Sequence, residues 1–146
     1  MPLPNRKAVC YGEDVTIADV EGIQSFLVAR TDPLSSAHRG SIERHVARGV
    51  RVALLQLVGT LQHSLSFLDP DSLSEAELLQ LHLQITLPWN TLWALVSPWQ
   101  WRDDYDHERW RHVKYWNVGQ KDEFEERLAI EFSKDRRRSA SKGGTQ

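Results

Sequence analysis

Cysteine is almost absent: Cys10 is the one thiol in 146 residues. It can close no internal disulfide, and no cysteine cluster offers a zinc site. That points to a reducing, intracellular setting, in which Cys10 either packs as a plain thiol or pairs between chains. No apolar run approaches the ~18 residues needed to cross a bilayer. Residues 1–14 lack the basic-then-apolar order of a secretory signal. Glycine, at 8 residues, is too sparse for a collagen-like or largely disordered chain. Charge of one sign is also missing. With 18 Lys+Arg against 20 Asp+Glu the net charge is −2, so any contact with nucleic acid must come from a local patch. There is no glycine-rich phosphate loop and no Gly-x-Ser-x-Gly elbow. Neither Cys10 nor the six histidines sit in a catalytic signature. The sequence therefore predicts neither an enzyme nor a cofactor site.

What the chain does have is leucine at helical spacing and six tryptophans. Thr16 with Asp19 resembles a helix N-cap, and Ile17, Val20, Ile23 and Leu27 follow at helical spacing. Asp32-Pro33 predicts the end of that helix. A second helix is expected from Ser35 or Ser41 to about Phe67, with Val46, Val50, Leu54, Leu57, Leu61 and Leu65 on its apolar face. Over 52–58 it is apolar nearly all round, as in a helix contacted on several sides. Leu68-Asp69-Pro70-Asp71 is a turn. Ser74-Glu75-Ala76-Glu77 is a capping box that opens a third helix. Residues 79–85 alternate like a strand, but the cap, the Leu/Gln/Glu content and the lack of β-branched residues favour helix. Pro88 suits the first position of a separate short helix over 89–96. Further helices are expected over 104–116 and from Asp122, the latter with Phe124, Leu128 and Phe132 on one face. The fold class is all-α: a helical hairpin that dimerises into a four-helix bundle, a short Trp-rich helix and C-terminal helices. Two regions are predicted, a folded body over 1–133 and a flexible basic tail over 134–146.

Several constellations invite a chemical reading. His107-Glu108-Arg109-Trp110-Arg111-His112 resembles a helical zinc motif, but its histidines are five apart, roughly 140° around a helix, and would not face one metal. A solvated charged face is the reading preferred. Arg44, Arg48 and Arg51 form a basic stripe at i, i+4, i+7 that could lie along phosphates or simply face water. In the tail, Lys134, Arg136, Arg137, Arg138 and Lys142 are candidate nucleic-acid contacts. Ser139 and Ser141 follow arginines at the spacing that basic-directed kinases read, and phosphate there would cancel the tail's charge. Trp89, Trp93, Trp99 and Trp101 crowd a short stretch between and beside Pro88 and Pro98. One short helix cannot bury all four, so with Arg102 they are candidate subunit contacts.

The order of these features resembles the core (capsid) proteins of hepatitis B-like viruses and their non-enveloped fish relatives. Ile23-Gln24-Ser25-Phe26-Leu27 followed by Asp32-Pro33-Leu34 is similar to the family's early helices. The helix opening near Ser35-Ser36-Ala37-His38 and ending at Leu68-Asp69-Pro70-Asp71-Ser72 looks like the first spike helix and its acidic tip. Leu78-Leu79 with His82 resembles the second spike helix. Leu92-Trp93-Ala94-Leu95-Val96-Ser97-Pro98-Trp99-Gln100-Trp101-Arg102 shares the Leu-x-x-Leu-Val-Ser-x-x-x-Trp spacing of the fifth helix, and a basic, Ser-containing tail follows. The similarity spans 15–102 and the tail. The chain departs from the family in a second spike helix about half the usual length, in a charged, helical stretch over 103–133 and in a short basic tail.

The resemblance implies a capsid protein that dimerises and assembles into an icosahedral shell around viral RNA or DNA. It implies a dimer interface at Val50, Leu54, Leu57, Leu61, Leu79 and Leu83, and inter-dimer contacts at Trp89, Trp93, Trp99, Trp101 and Arg102. Partners would be further copies of the chain and nucleic acid, with no small-molecule substrate and no membrane insertion. The location would be the virion and the host cytoplasm or nucleus. The alternative is a helical nucleic-acid-binding accessory or regulatory protein that uses the Arg44, Arg48 and Arg51 stripe; a protein adaptor is a third reading.

Overall fold

A computed structural model describes residues 6–69 and 71–143, and it is all-helical, with no strand among the described residues. Four α-helices follow a short 3-10 turn at Gly12–Asp14: α1 (Ile17–Ser35), α2 (Ile42–Ser66), α3 (Glu75–Val96) and α4 (Val118–Gly143). A second 3-10 turn, Ser97–Trp99, extends α3.

The helix starts obey their caps. The Thr16 hydroxyl accepts from the Asp19 amide, and Asp19 returns a bond to the Thr16 amide, closing a capping box. Ser41 and Ser74 accept from Arg44 and Glu77 in the same way. The strand-like alternation over 79–85 lies inside α3. α2 and α3 form the expected hairpin, and α1 packs on both. Their shared core centres on Val20, Ile23 and Leu27 of α1, Leu54, Val58 and Leu61 of α2, and Ile85, Trp89 and Leu92 of α3. Each such aliphatic side chain, fully withdrawn from water, contributes about 2 kcal/mol.

Proline breaks neither helix. α1 runs two residues past Pro33 to Ser35. The missing N–H falls in the last turn, where side-chain hydroxyls already bond main-chain carbonyls: Thr31 to Leu27, and Ser35 to Asp32. α3 is one helix through Pro88, where two were expected. Pro88 removes the bond its N–H would give to Gln84, and Gln84 lies on the exposed side. Trp89 and Leu92 are fully buried on the face that carries Ile85, so burial on both sides of the proline holds the two halves in line. The second hairpin helix is thus 22 residues long, well beyond the half-length expected.

Residues 103–116 form no helix but an irregular arm. Tyr105, Trp110 and Val113 are buried and Trp116 packs against the core. A helix would spread these side chains around its circumference; the extended arm turns all four to the body. The arm's main-chain groups find partners at long range. Val9 N–H donates to Glu108 O, Gly12 N–H to Tyr115 O and Glu13 N–H to Trp116 O. The Asn90 side chain donates to Val113 O and accepts from Val113 N–H, at 2.7 and 2.8 Å. Trp89 Nε1 donates to Arg111 O.

α4 opens at Val118 and continues to Gly143, so residues 134–143 are helical and continuous with 118–133. The helix passes through residue 133, and only residues 144–146 of the expected tail lie outside the described residues. α4 packs on none of the other helices among the described residues and has no buried residue. Cys10 is exposed, not a packed thiol.

Candidate assembly surfaces

The residues expected at a dimer interface separate into two groups. Leu54 and Leu61 are fully buried in the monomer's own core. At about 100° per residue they point the same way as Val58 and Leu65, toward α1 and α3, and cannot face a partner. Leu79 and Leu83 are exposed, at 59% and 55%. Val50 is half-buried, and Leu57 is half-buried against the core.

Sequence reasoning missed the groove between the hairpin helices. It is lined by Ala53, Gln56, Leu57 and Thr60 of α2 and by Pro88 and Thr91 of α3. Val46 and Leu87 flank it by helical position, at 59% and 66% exposure. None of these residues carries a formal charge. The apolar girdle over 52–58 was the signal, but periodicity alone could not tell which of its sides the core takes. Leu79 lies apart, in a cleft with His82, Trp116 and Gln120 at the foot of α4.

The tryptophans divide likewise. Trp89 is fully buried and hydrogen-bonded, so it is core and not an inter-dimer contact. Trp99 packs partly against the core. Trp93 is half-buried and meets His112 edge-on at 5.4 Å. Only Trp101 stands clear, 70% exposed, with the Arg102 guanidinium 4.5 Å above its ring. That pairing forms an amphipathic knob, a geometry common at interface anchors. Nearby, burial pushes the Tyr105 hydroxyl above its ordinary pKa, and the hydroxyl donates to Trp110 O at 3.3 Å.

The charged candidates also sort. Arg51 pairs with Asp32, and Arg44 donates to Ala37 O at 3.2 Å, so two members of the α2 stripe are tied to α1 and the turn after it. Lys134, Arg136, Arg137, Arg138 and Lys142 are exposed along α4. Because they lie on a helix, Lys134, Arg138 and Lys142 follow one another at i, i+4, i+8, Arg137 lies beside Lys134 along a shallow groove with Ile130 and Ser133, and Arg136 turns away. Lys134 sits 3.6 Å from Glu131. Ser139 and Ser141 are exposed on the same helix, and the Ser141 hydroxyl donates to Arg138 O. His107 and His112 lie on the irregular arm, and no group of three or more His, Cys, Asp or Glu among the described residues could hold a metal ion. No helix among them is long and apolar enough to cross a membrane.

One residue that the sequence offered only as part of a solvated charged face organises the arm. Arg109 grips both carboxylate oxygens of Asp19, at 2.9 and 2.8 Å, and donates to the main-chain oxygens of Arg6 and Asp14. That bonding holds its guanidinium above its ordinary pKa. Compared with known protein families, curated proteins and solved structures, the chain matches none.

Proposed function

We propose that this chain is a capsid protein of the hepatitis B-like kind, which dimerises through its α2–α3 hairpin and assembles into a shell around nucleic acid. The observation that carries the reading is the uncharged groove of the hairpin, flanked by exposed Val46 and Leu87. A monomer rarely leaves such a face in water, and two hairpins packed face to face make a four-helix bundle that covers it. Support also comes from the continuous α3, which gives the hairpin two arms of comparable length, 25 and 22 residues. Trp101 with Arg102 supplies a second contact at the far end of α3, and two interfaces per chain permit closure. The exposed cations of α4, Lys134 to Lys142, contact the nucleic acid, and Ser139 and Ser141 are the positions where phosphate would weaken that contact.

The regulator reading through Arg44, Arg48 and Arg51 is weaker. Arg51 and Arg44 already have partners within the chain.

The test is Leu87→Asp. Leu87 is 66% exposed, so the monomer should keep its helical content, while a charge placed in the bundle seam should abolish the dimer. Light scattering after gel filtration, run with Leu128→Asp in both proteins so that the exposed stripe of α4 cannot hold two chains together, reads the hairpin dimer, and electron microscopy without that change reads shells. Wild-type shells lost in Leu87→Asp are expected. A variant that still dimerises and assembles would remove the hairpin from the interface. Trp101→Ala should keep the dimer and raise the protein concentration at which shells appear.

A further inference from the structure

α4 carries a pattern that reads the same in both directions. Lys121, Phe124, Leu128, Phe132 and Asp135 are spaced three, four, four and three residues apart, and at about 100° per residue all five fall on one side of the helix. Phe124, Leu128 and Phe132 are 42%, 40% and 63% exposed, on a helix with no buried residue and, among the described residues, no other helix against it. Tyr115 and Lys114 touch only the Phe124 end of this stripe.

We infer that α4 pairs antiparallel with α4 of a second copy of this chain, about a two-fold axis at Leu128. The symmetry then sets each contact. Leu128 meets its own equivalent, Phe124 meets Phe132 of the second copy, and Lys121 meets Asp135. The flanks agree. In an antiparallel pair each flank faces the same flank of its mate. On one flank Arg127 lies opposite Glu131; on the other Asp122 lies opposite Arg136. The Arg127–Glu123 and Lys134–Glu131 pairs seen within one helix involve exposed side chains and can redistribute across the seam. A parallel pair would set each of these charges beside its own copy and lose all three complementary charge pairs. Acids dominate the first half of α4 and bases the second, which selects a second, reversed copy as the occupant. A hairpin face, with no formal charge along its groove, offers nothing to match.

This interface is separate from the hairpin dimer, and the experiment reads it separately. In full-length protein carrying Cys10→Ser, which removes the one native thiol, Leu128→Cys should form a disulfide-linked dimer under mild oxidation. Phe124→Cys and Phe132→Cys should each stay monomeric on non-reducing gels when oxidised alone. An equimolar mixture of those two variants should cross-link. Equal cross-linking of all three single variants would mean a parallel pair and would overturn the inference. So would no linkage of Leu128→Cys beyond that of Glu126→Cys, which lies on the far side of the helix. Adding Leu87→Asp to the Leu128→Cys protein separates the two surfaces: the disulfide should persist although the hairpin dimer is lost.

Discussion

Replacing Arg109 by alanine should loosen the arm from the body, and the structure fixes the size of the effect. The guanidinium makes four hydrogen bonds, two of them to a carboxylate that is 6% exposed, and is itself 17% exposed. Water therefore screens the pair poorly. Removing one partner of such a pair costs about 3–5 kcal/mol. The lower end applies because Asp19 keeps its bonds to the Thr16 amide and hydroxyl. A loss of about 3 kcal/mol is a large part of the 5–15 kcal/mol that a domain has in total, and it should lower Tm by roughly 10 °C. Arg109→Lys keeps the charge but not the two-pronged grip, so about half of that loss is expected. Urea unfolding should be run at one protein concentration in a background carrying both Leu87→Asp and Leu128→Asp, because association through either surface adds apparent stability. The midpoint should fall with the slope unchanged. A cost below about 1 kcal/mol for Arg109→Ala would match a solvent-screened surface pair and would refute the role given to Arg109.

Two further outcomes follow from the cleft at the foot of α4. Burial holds His82 below its ordinary pKa of 6.5, so the unfolded chain binds the proton more readily than the folded one; stability should be full above that pH and fall as pH drops through 6.5 toward the native value. Tm compared at about pH 7.5 and about pH 5.5 should show that loss in the wild type and a smaller one in His82→Gln, and an equal loss in both would exclude His82 as the source. A Cβ at Gly12 would sit 2.5 Å from Trp116 Cε3, so Gly12→Ala should displace the indole and cost about 1–3 kcal/mol, visible as a changed near-ultraviolet circular dichroism band; an unchanged band would show that Trp116 does not rest on this glycine.

The sequence by itself determined the helices that start at a cap and repeat at one period. Thr16 and Ser74 cap where they were expected, and Ser41 is the one of the two expected starts, Ser35 or Ser41, that caps α2, because an N-cap is a bond across three residues and needs nothing distant. The all-α class and the hairpin followed from the same local signals. Three features were decided only by tertiary structure. Pro33 and Pro88 are strong local breakers, yet the burial of Trp89 and Leu92 beyond Pro88 outweighs one lost backbone bond. Residues 103–116 have helix-compatible composition, but Asn90, Trp89 and the amides of Val9, Gly12 and Glu13 supply their main-chain groups with partners from other parts of the chain. No local rule anticipates bonds that span up to 103 residues. The candidate interfaces show the same division. Periodicity marked α2 as apolar nearly all round, but only the placement of α1 and α3 against it decided that Leu54 and Leu61 face inward while Val46 is left in water. Trp89 and Trp101 are the same residue type in one short stretch, and one is core while the other is a knob. Burial is a property of what surrounds a side chain, and those surroundings come from residues far away in the sequence.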